Sequence, residues 1–352
     1  MKVIHIESGL GNQMLSYCEY LSLKYANPGD EFYIENIIFD IPECNEVTCQ
    51  WNGYELERVF GITEPKNVRI LFSDQQWQRL ISDIRASEFW KYNMNYPIAF
   101  TEAFAKAGLP LVNTHGNFYD GKHSGALKPS KLRLIRTVVA DSGPGAWLKR
   151  WNNILNARKY IRAKDCRKEL FRHTDEALFT GQRLAFKFKG NDRHLIDEEI
   201  RNTFVFPSFT DTKNQDMADC LQGVNAVAIH ARRGDMLGTN GWCYKYGYFR
   251  RAVKHIRRHV ENPVFVFFTD PGSIAWCKDN SKVFGLDYSR DTVYFVDWNG
   301  GTESYRDMQL MGRCKHAIIT NSTFGWWGAY FINNPDKITI SPMVEMDTTF
   351  HC

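Results

Sequence analysis

The sequence predicts an α/β protein with two doubly wound domains, and three observations carry that prediction. Beyond residue 220, short runs that are apolar along their whole length (NAVAIHAR, PVFVFFTD, TVYFVD, KHAIITN and KITISP) alternate with helical stretches. Strands of that kind are covered on both faces, which marks a parallel sheet wrapped by helices. The N-terminus opens with the same alternation, as KVIHI is followed by the glycine turn ESGLGN and then by QMLSYCEYLSLKYA with apolar residues at helical spacing. Finally, 352 residues are too many for one ordinary core and suit two domains. The change of pattern places these at 1–220 and 221–352.

After the opening strand, turn and helix, EFYIENIIFDI reads as a strand with its flank. From 75 to 220 helical periodicity and charge dominate, as in SDQQWQRLISDIRASEFW and AWLKRWNNILNARKYIRAKDCRKELF. The loop clusters HGNFYDGKHSG and DSGPG interrupt that region. In the second domain NAVAIHAR is a buried strand, and YKYGYFRRAVKHIRRHV is an amphipathic helix whose basic face is solvated. PVFVFFTD, TVYFVD, KHAIITN and KITISP are the further strands; PGSIAWCKDN, TESYRDMQLMGRC and STFGWWGAYFIN are the helices between them. Ligands of such sheets bind beyond the carboxyl ends of the strands. His230, Arg232, Asp270, Asp297 and Asn321 fall there, as does the N-terminal HIESGLGN.

Composition narrows the function classes. Hydrophobic residues at 43% and charged residues at 24% are those of a soluble globular protein. A net charge of +4 without any basic run permits an anionic substrate and gives no sign of nucleic acid. Ten tryptophans and sixteen tyrosines supply flat, rigid side chains that suit sugar or base stacking as well as core. Nine cysteines form neither a CxxC pair nor a zinc-spaced cluster, which points to reduced thiols. No long apolar stretch reads as a signal peptide or a membrane span, so the expected setting is the cytoplasm, with at most peripheral membrane association.

Four stretches carry candidate chemistry. In AIHARRGD, residues 228–235, alternation along an extended strand puts His230 and Arg232 on one face, and Gly234 lets the chain turn. Asp235 can hold one guanidinium in place, and an arginine so fixed presents a fork of donors matched to a phosphate. An Arg–Asp pair that merely ties a strand end to its loop is the competing reading. The embedded RGD follows a buried strand, which argues against an adhesion motif. In TNSTFGWWGAYF, Asn321, Ser322 and Thr323 mark a strand-to-helix turn, where one of them can cap the helix or the turn can receive a diphosphate. Trp326, Trp327 and Gly328 imply tight packing beside it. FFTDPGS ends a strand in Asp270, a carboxylate suited to a guanine edge, a ribose or the next helix cap. The N-terminal ESGLGNQM is a glycine turn opening a helix, but neither GxGxxG nor a P-loop. No two aspartates lie two residues apart, so a metal-holding DxD is missing and fixed cations would have to neutralise a departing diphosphate.

Together GLGNQM, HARRGD, FTD and CKHAIITNSTFGWWGAYF resemble the GDP-fucose-dependent α-1,2-fucosyltransferases of glycosyltransferase family 11. The resemblance implies a GT-B-like α/β architecture, two Rossmann-like domains facing across a cleft, with the donor held mainly by the C-terminal one. It implies inverting, metal-independent transfer of L-fucose from GDP-fucose to a hydroxyl, commonly O2 of a galactose-containing oligosaccharide, with no cofactor. Residue by residue, Arg232 matches the diphosphate ligand, His230 lies near the ribose and Asp270 near guanine. Asn321, Ser322, Thr323 and Phe324 match the turn around the phosphates, while Gly11 and Asn12 approach the fucose. Glu7 and Ser8 stand where small glycines are usual, a departure on the acceptor side. The general base stays open between Asp235, Glu7 and an SN1-like path in which the phosphate takes the proton. Two other readings compete with fucosyl transfer: the same fold using another nucleotide sugar, and a non-catalytic glycan- or nucleotide-binding protein.

Overall fold

The computed structural model describes residues 1–46, 52–91, 96–113, 144–145, 147–148, 151, 175–180 and 193–342. The loop cluster HGNFYDGKHSG, most of DSGPG and most of the long helical stretch that starts at residue 146 lie outside the described residues. The chain separates into two compact units, and the main change falls between Val205 and Phe206. The sequence pattern alone places it at residue 220. Segment 206–220 goes with the second unit for a visible reason. Arg306 donates to Pro207 O and Ser208 O, Gln309 donates to Pro207 O, and Asn214 exchanges hydrogen bonds with Asn299.

The first unit carries a parallel sheet of β1 (Lys2–His5), β2 (Phe32–Glu35), β3 (Val112–Asn113) and β4 (Ala177–Phe179), in the order β2-β1-β4-β3. β1 is buried throughout and leads through Ile6–Gly9 into the helix Leu10–Ala26. The helix Asp74–Ala86 starts at a capping box, Ser73 with Gln76, which satisfies two of the amides that a helix start leaves open. Its buried side chains, Trp77, Leu80 and Ile84, are spaced three and four apart and pack with Phe100 and Phe104.

The second unit holds β5 (Asn225–Ala231), β6 (Pro263–Thr269), β7 (Val293–Phe295), β8 (His316–Ile319) and β9 (Thr339–Ile340), all parallel. Their order is β7-β6-β5-β8-β9. The chain moves outward from β5 to β7, then returns to the other side of β5 for β8 and β9. The strand order therefore reverses between β5 and β8, the place where doubly wound sheets open a crevice at their carboxyl ends. Apolar layers cover both faces of β5, with Val227 and Ile229 in one and Ala226 and Ala228 in the other. That two-sided burial explains why the run reads as continuously apolar.

One element differs from the sequence reading. YKYGYFRRAVKHIRRHV is not one helix: the helix Tyr248–His259 begins after Gly247, which sits in the left-handed region at φ 70°, and a separate helix, Leu237–Lys245, precedes it. Among the described residues no helix is long and apolar enough to cross a membrane.

Candidate functional site

The carboxyl ends of β5 and β8 build a polar cluster in the second unit. His230 and Ile319 are register partners on these adjacent strands, so the HARRGD turn and the TNST turn emerge side by side. Thr320 stitches them together: its hydroxyl donates to His230 O and accepts from Arg232 N. The helix Leu237–Lys245 adds two braces from beneath. Asn240 donates through Nδ2 to Arg232 O and Asn321 O and accepts Asn321 N, while Tyr244 donates its hydroxyl to Arg232 O.

His230 is buried, its ring stacked on Phe324 with centroids 5.8 Å apart. Burial first, and then the Arg232 charge, push its pKa down to about 3 against the opposite pull of Asp270. The imidazole is therefore neutral at ordinary pH, with one nitrogen donating and the other accepting. Its Nδ1 is buried without a hydrogen-bond partner, and so is Nδ2 of Asn321. Orphaned buried polar atoms are costly, and these two lie at the carboxyl ends of adjacent strands. Behind them starts the helix Thr323–Phe331, with Ser322 at the N-cap position. The Ser322 side chain makes no capping hydrogen bond, so the open amides and positive end of this helix favour an anion. Gly325 is required here, because a Cβ would come within 2.5 Å of His230 Nδ1. Trp327 is fully buried, and a Cβ on Gly328 would meet Met311 at 2.7 Å, which accounts for the tight packing expected beside the turn.

The two arginines diverge. Arg232, partly buried, pairs through Nη2 with Asp235 Oδ1 at 2.9 Å. Arg233 lies over the ring of Trp276, 3.4 Å from its centroid, and 5.0 Å from that of Tyr244. The carboxylate of Asp235 thus serves Arg232 and not Arg233, and a base at Asp235 would first have to leave that ion pair. Asp270 is also committed. Its carboxylate accepts from Arg233 N at 2.6 Å, Gly234 N at 2.9 Å and the Ser273 hydroxyl at 2.5 Å. Those bonds make it the anchor of the HARRGD turn, whereas the resemblance places it beside guanine. Gly234 serves the same anchor: a Cβ there would lie 2.9 Å from Asp270 Oδ2, so close approach, and not a left-handed turn, demands glycine. Asp297 stands apart in an ion pair with Lys278 and joins none of this.

In the first unit, β1 likewise lies beside β4 where the strand order reverses, and its carboxyl end carries a second polar cluster. Ser8 adopts a left-handed φ of 62°, a conformation disfavoured for any residue with a Cβ. Gln13 holds the turn, donating to Ser8 O and Gly53 O and accepting Glu55 N. Gly11 is buried in the first turn of the helix, and Asn12 beside it has a buried Oδ1 without a partner. Behind the turn, His5 bonds Glu35 through Nδ1, while Nε2 lies 3.6 Å from Glu7. Burial opposes a charge on His5, but Glu35 and then Glu7 outweigh it and raise the pKa to about 10. Tyr96 stacks on His5 and donates to Glu7 at 3.2 Å. Glu7, a candidate base on sequence grounds, is thus held between an imidazolium and a phenol.

Asn240, Tyr244 and the His5–Glu35 pair escape the sequence reading. No motif marks them; the only available signal is the placement of polar residues in or beside apolar stretches. Among the described residues no group of three or more His, Cys, Asp or Glu is placed to hold a metal ion.

Residues 199–352, the C-terminal part of the chain, match the profile of glycosyl transferase family 11. An α-1,2-colitosyltransferase of Escherichia coli is 32% identical over 164 residues, covering 44% of this chain and 53% of its own length. A galactoside α-(1,2)-fucosyltransferase 1 of Saimiri sciureus is 30% identical over 169 residues, 45% of this chain and 44% of that protein. The chain thus spans about half the length of these curated relatives. Crystalline fucosyltransferase NodZ from Bradyrhizobium aligns over 93% of this chain and 91% of its own, at 14% identity and a TM-score of 0.41, a likeness too weak to carry a conclusion.

Proposed function

We propose that this chain is a family 11 glycosyltransferase, a galactoside α-1,2-fucosyltransferase that uses GDP-fucose. The observation that carries the reading is the pair of orphaned buried atoms, His230 Nδ1 and Asn321 Nδ2, beside the ion-paired Arg232 and the open N-terminus of the helix Thr323–Phe331. Arg232, the Asn321 amide and the start of that helix form a preorganised set of donors for a diphosphate. In the reaction the acceptor oxygen forms a bond to the anomeric carbon while the bond to the diphosphate oxygen breaks, turning a β-linked donor into an α-linked product. The acceptor proton passes to a base or to the departing phosphate. Arg232 follows the charge that grows on the leaving diphosphate, and its fork of donors performs the task for which other enzymes use a metal. A neutral His230 adds a hydrogen-bonding nitrogen without adding charge, consistent with a ribose contact. Asp270, occupied by the turn, acts by fixing Arg233 and Gly234.

A second donor has specific support. One relative is named a colitosyltransferase, so a colitosyl nucleotide competes with the fucosyl one. The deciding experiment is product mass spectrometry with linkage analysis, using GDP-fucose or the colitosyl nucleotide and a panel of galactosides, with and without EDTA. We expect α-1,2-fucosylated product, undiminished by EDTA. Preference for the colitosyl donor replaces the donor assignment. Collapse in EDTA with recovery on adding magnesium or manganese refutes metal independence, and nucleotide binding without turnover supports a binding protein.

A further inference from the structure

The helix Leu237–Lys245 contains two glycines and no amphipathic pattern, yet one of its side chains is more completely buried than any candidate ligand. Asn240 has no exposed surface, and its carboxamide is spent on the two functional turns. Nδ2 donates at 3.2 Å to both Arg232 O and Asn321 O, and Oδ1 accepts Asn321 N at 3.1 Å. The two turns leave neighbouring strands and share no residue, and Thr320 joins them only at their base. Asn240 therefore sets the distance between the backbone that carries the Arg232 guanidinium and the backbone that carries the orphaned Asn321 amide. A carboxamide suits the task because it alone among side chains of this size offers two donors and an acceptor in one plane.

We infer that Asn240 is a positioning residue that couples Arg232 to Asn321, so that both engage one diphosphate together. The inference rests on the donor-site reading above, and the test separates the two. GDP affinity is measured by calorimetry, with melting temperatures, for the whole chain and for Asn240→Asp. That variant keeps the shape but turns the two donors into an acceptor facing two carbonyls. Asn334→Ala is the comparison, since it removes two bonds, to Lys315 O and from Asp336 N, at the far end of β8. Wild-type protein that binds no GDP overturns the donor site itself. If GDP binds, Asn240→Asp should weaken it by about tenfold or more, the typical consequence of unpaired buried polar groups. Asn334→Ala should lose thermal stability with GDP affinity intact.

The decisive readout is a double-mutant cycle between Arg232→Lys and Asn321→Ala. The two losses should be coupled in the wild-type background and independent once Asn240 is replaced. Should Asn240→Asp not fold, Asn240→Ala, which brings no charge, takes its place in the same cycle. Coupling that persists without the Asn240 carboxamide, or GDP affinity that stays within about twofold of wild type, overturns the inference.

Discussion

Replacing Gly325 with alanine tests the site at its tightest point. The added Cβ would lie 2.5 Å from Nδ1 of His230, 2.8 Å from Cγ and 3.1 Å from Cε1. Ordinary contact begins at 3.4 Å, so 3.4 − 2.5 = 0.9 Å of relative movement is needed. The ring has little room to yield, being 3% exposed and stacked on Phe324. Overpacking of this kind costs about 1–3 kcal/mol. Alanine returns about 1 kcal/mol because it favours a helix over glycine. The net loss of stability is then at most about 2 kcal/mol, a fall in Tm of under about 8 °C for a unit of this size. Function should suffer far more, since a misplacement of about 1 Å costs about a hundredfold in a preorganised site. Gly325→Ala should therefore lose about two orders of magnitude in kcat/KM with GDP-fucose while remaining folded. Calorimetry with GDP, steady-state kinetics and thermal melting measure the three quantities. In a His230→Ala background, which makes room, the alanine should cost little more. A Gly325→Ala enzyme with wild-type turnover would refute the placement of His230 against this helix.

Arg232→Lys should lower kcat by about 10²–10³, because lysine keeps the charge but not the fork. Arg233→Lys should retain more activity and melt earlier, having lost a guanidinium stacked on Trp276, a contact of about 0.5–2 kcal/mol. A dead but stable Arg233→Lys would reverse these assignments. Asn12→Ala should reduce turnover well beyond any change in GDP affinity, and normal turnover would remove Asn12 from the site. Burial lifts the pKa of Asp307 to about 7 from an ordinary 3.8, so the folded chain holds that proton more tightly than the unfolded one. The resulting stability is present in full below pH 3.8 and lost as pH rises toward 7. Asp307→Asn, which keeps an acceptor for Asn299, should flatten the fall in Tm over that window; an unchanged slope assigns it to other groups.

Where side-chain chemistry repeats along an element, the sequence is legible. Ala226 to Ala231 is apolar at nearly every position because both faces of β5 are covered, so the strand and its end at His230 can be read directly. The turn TNST and the helix after it are legible for the same reason, as are the divergent directions of Arg232 and Arg233. Leu237–Lys245 is not: its glycines and lack of periodicity resemble a loop, and only packing beneath the two turns makes it a helix. The roles of Asp235 and Asp270 are also hidden. A carboxylate can serve a guanidinium, a backbone amide or a nucleotide equally well, and its composition does not say which partner lies within about 3 Å.

The sequence by itself determined the strands of the second unit, most of its helices and the residue types gathered at the strand ends, because apolar periodicity and turn chemistry are local properties. Only the tertiary structure decided that β5 lies beside β8 and not merely beside β6, which follows it along the chain. Backbone hydrogen bonds between parallel strands are the same for every residue pair, so a buried apolar strand carries little record of its neighbour. The order β7-β6-β5-β8-β9 comes from packing the helices over both faces at once. That order brings His230, Arg232 and Asn321 to one crevice and gives Asn240 two turns to hold.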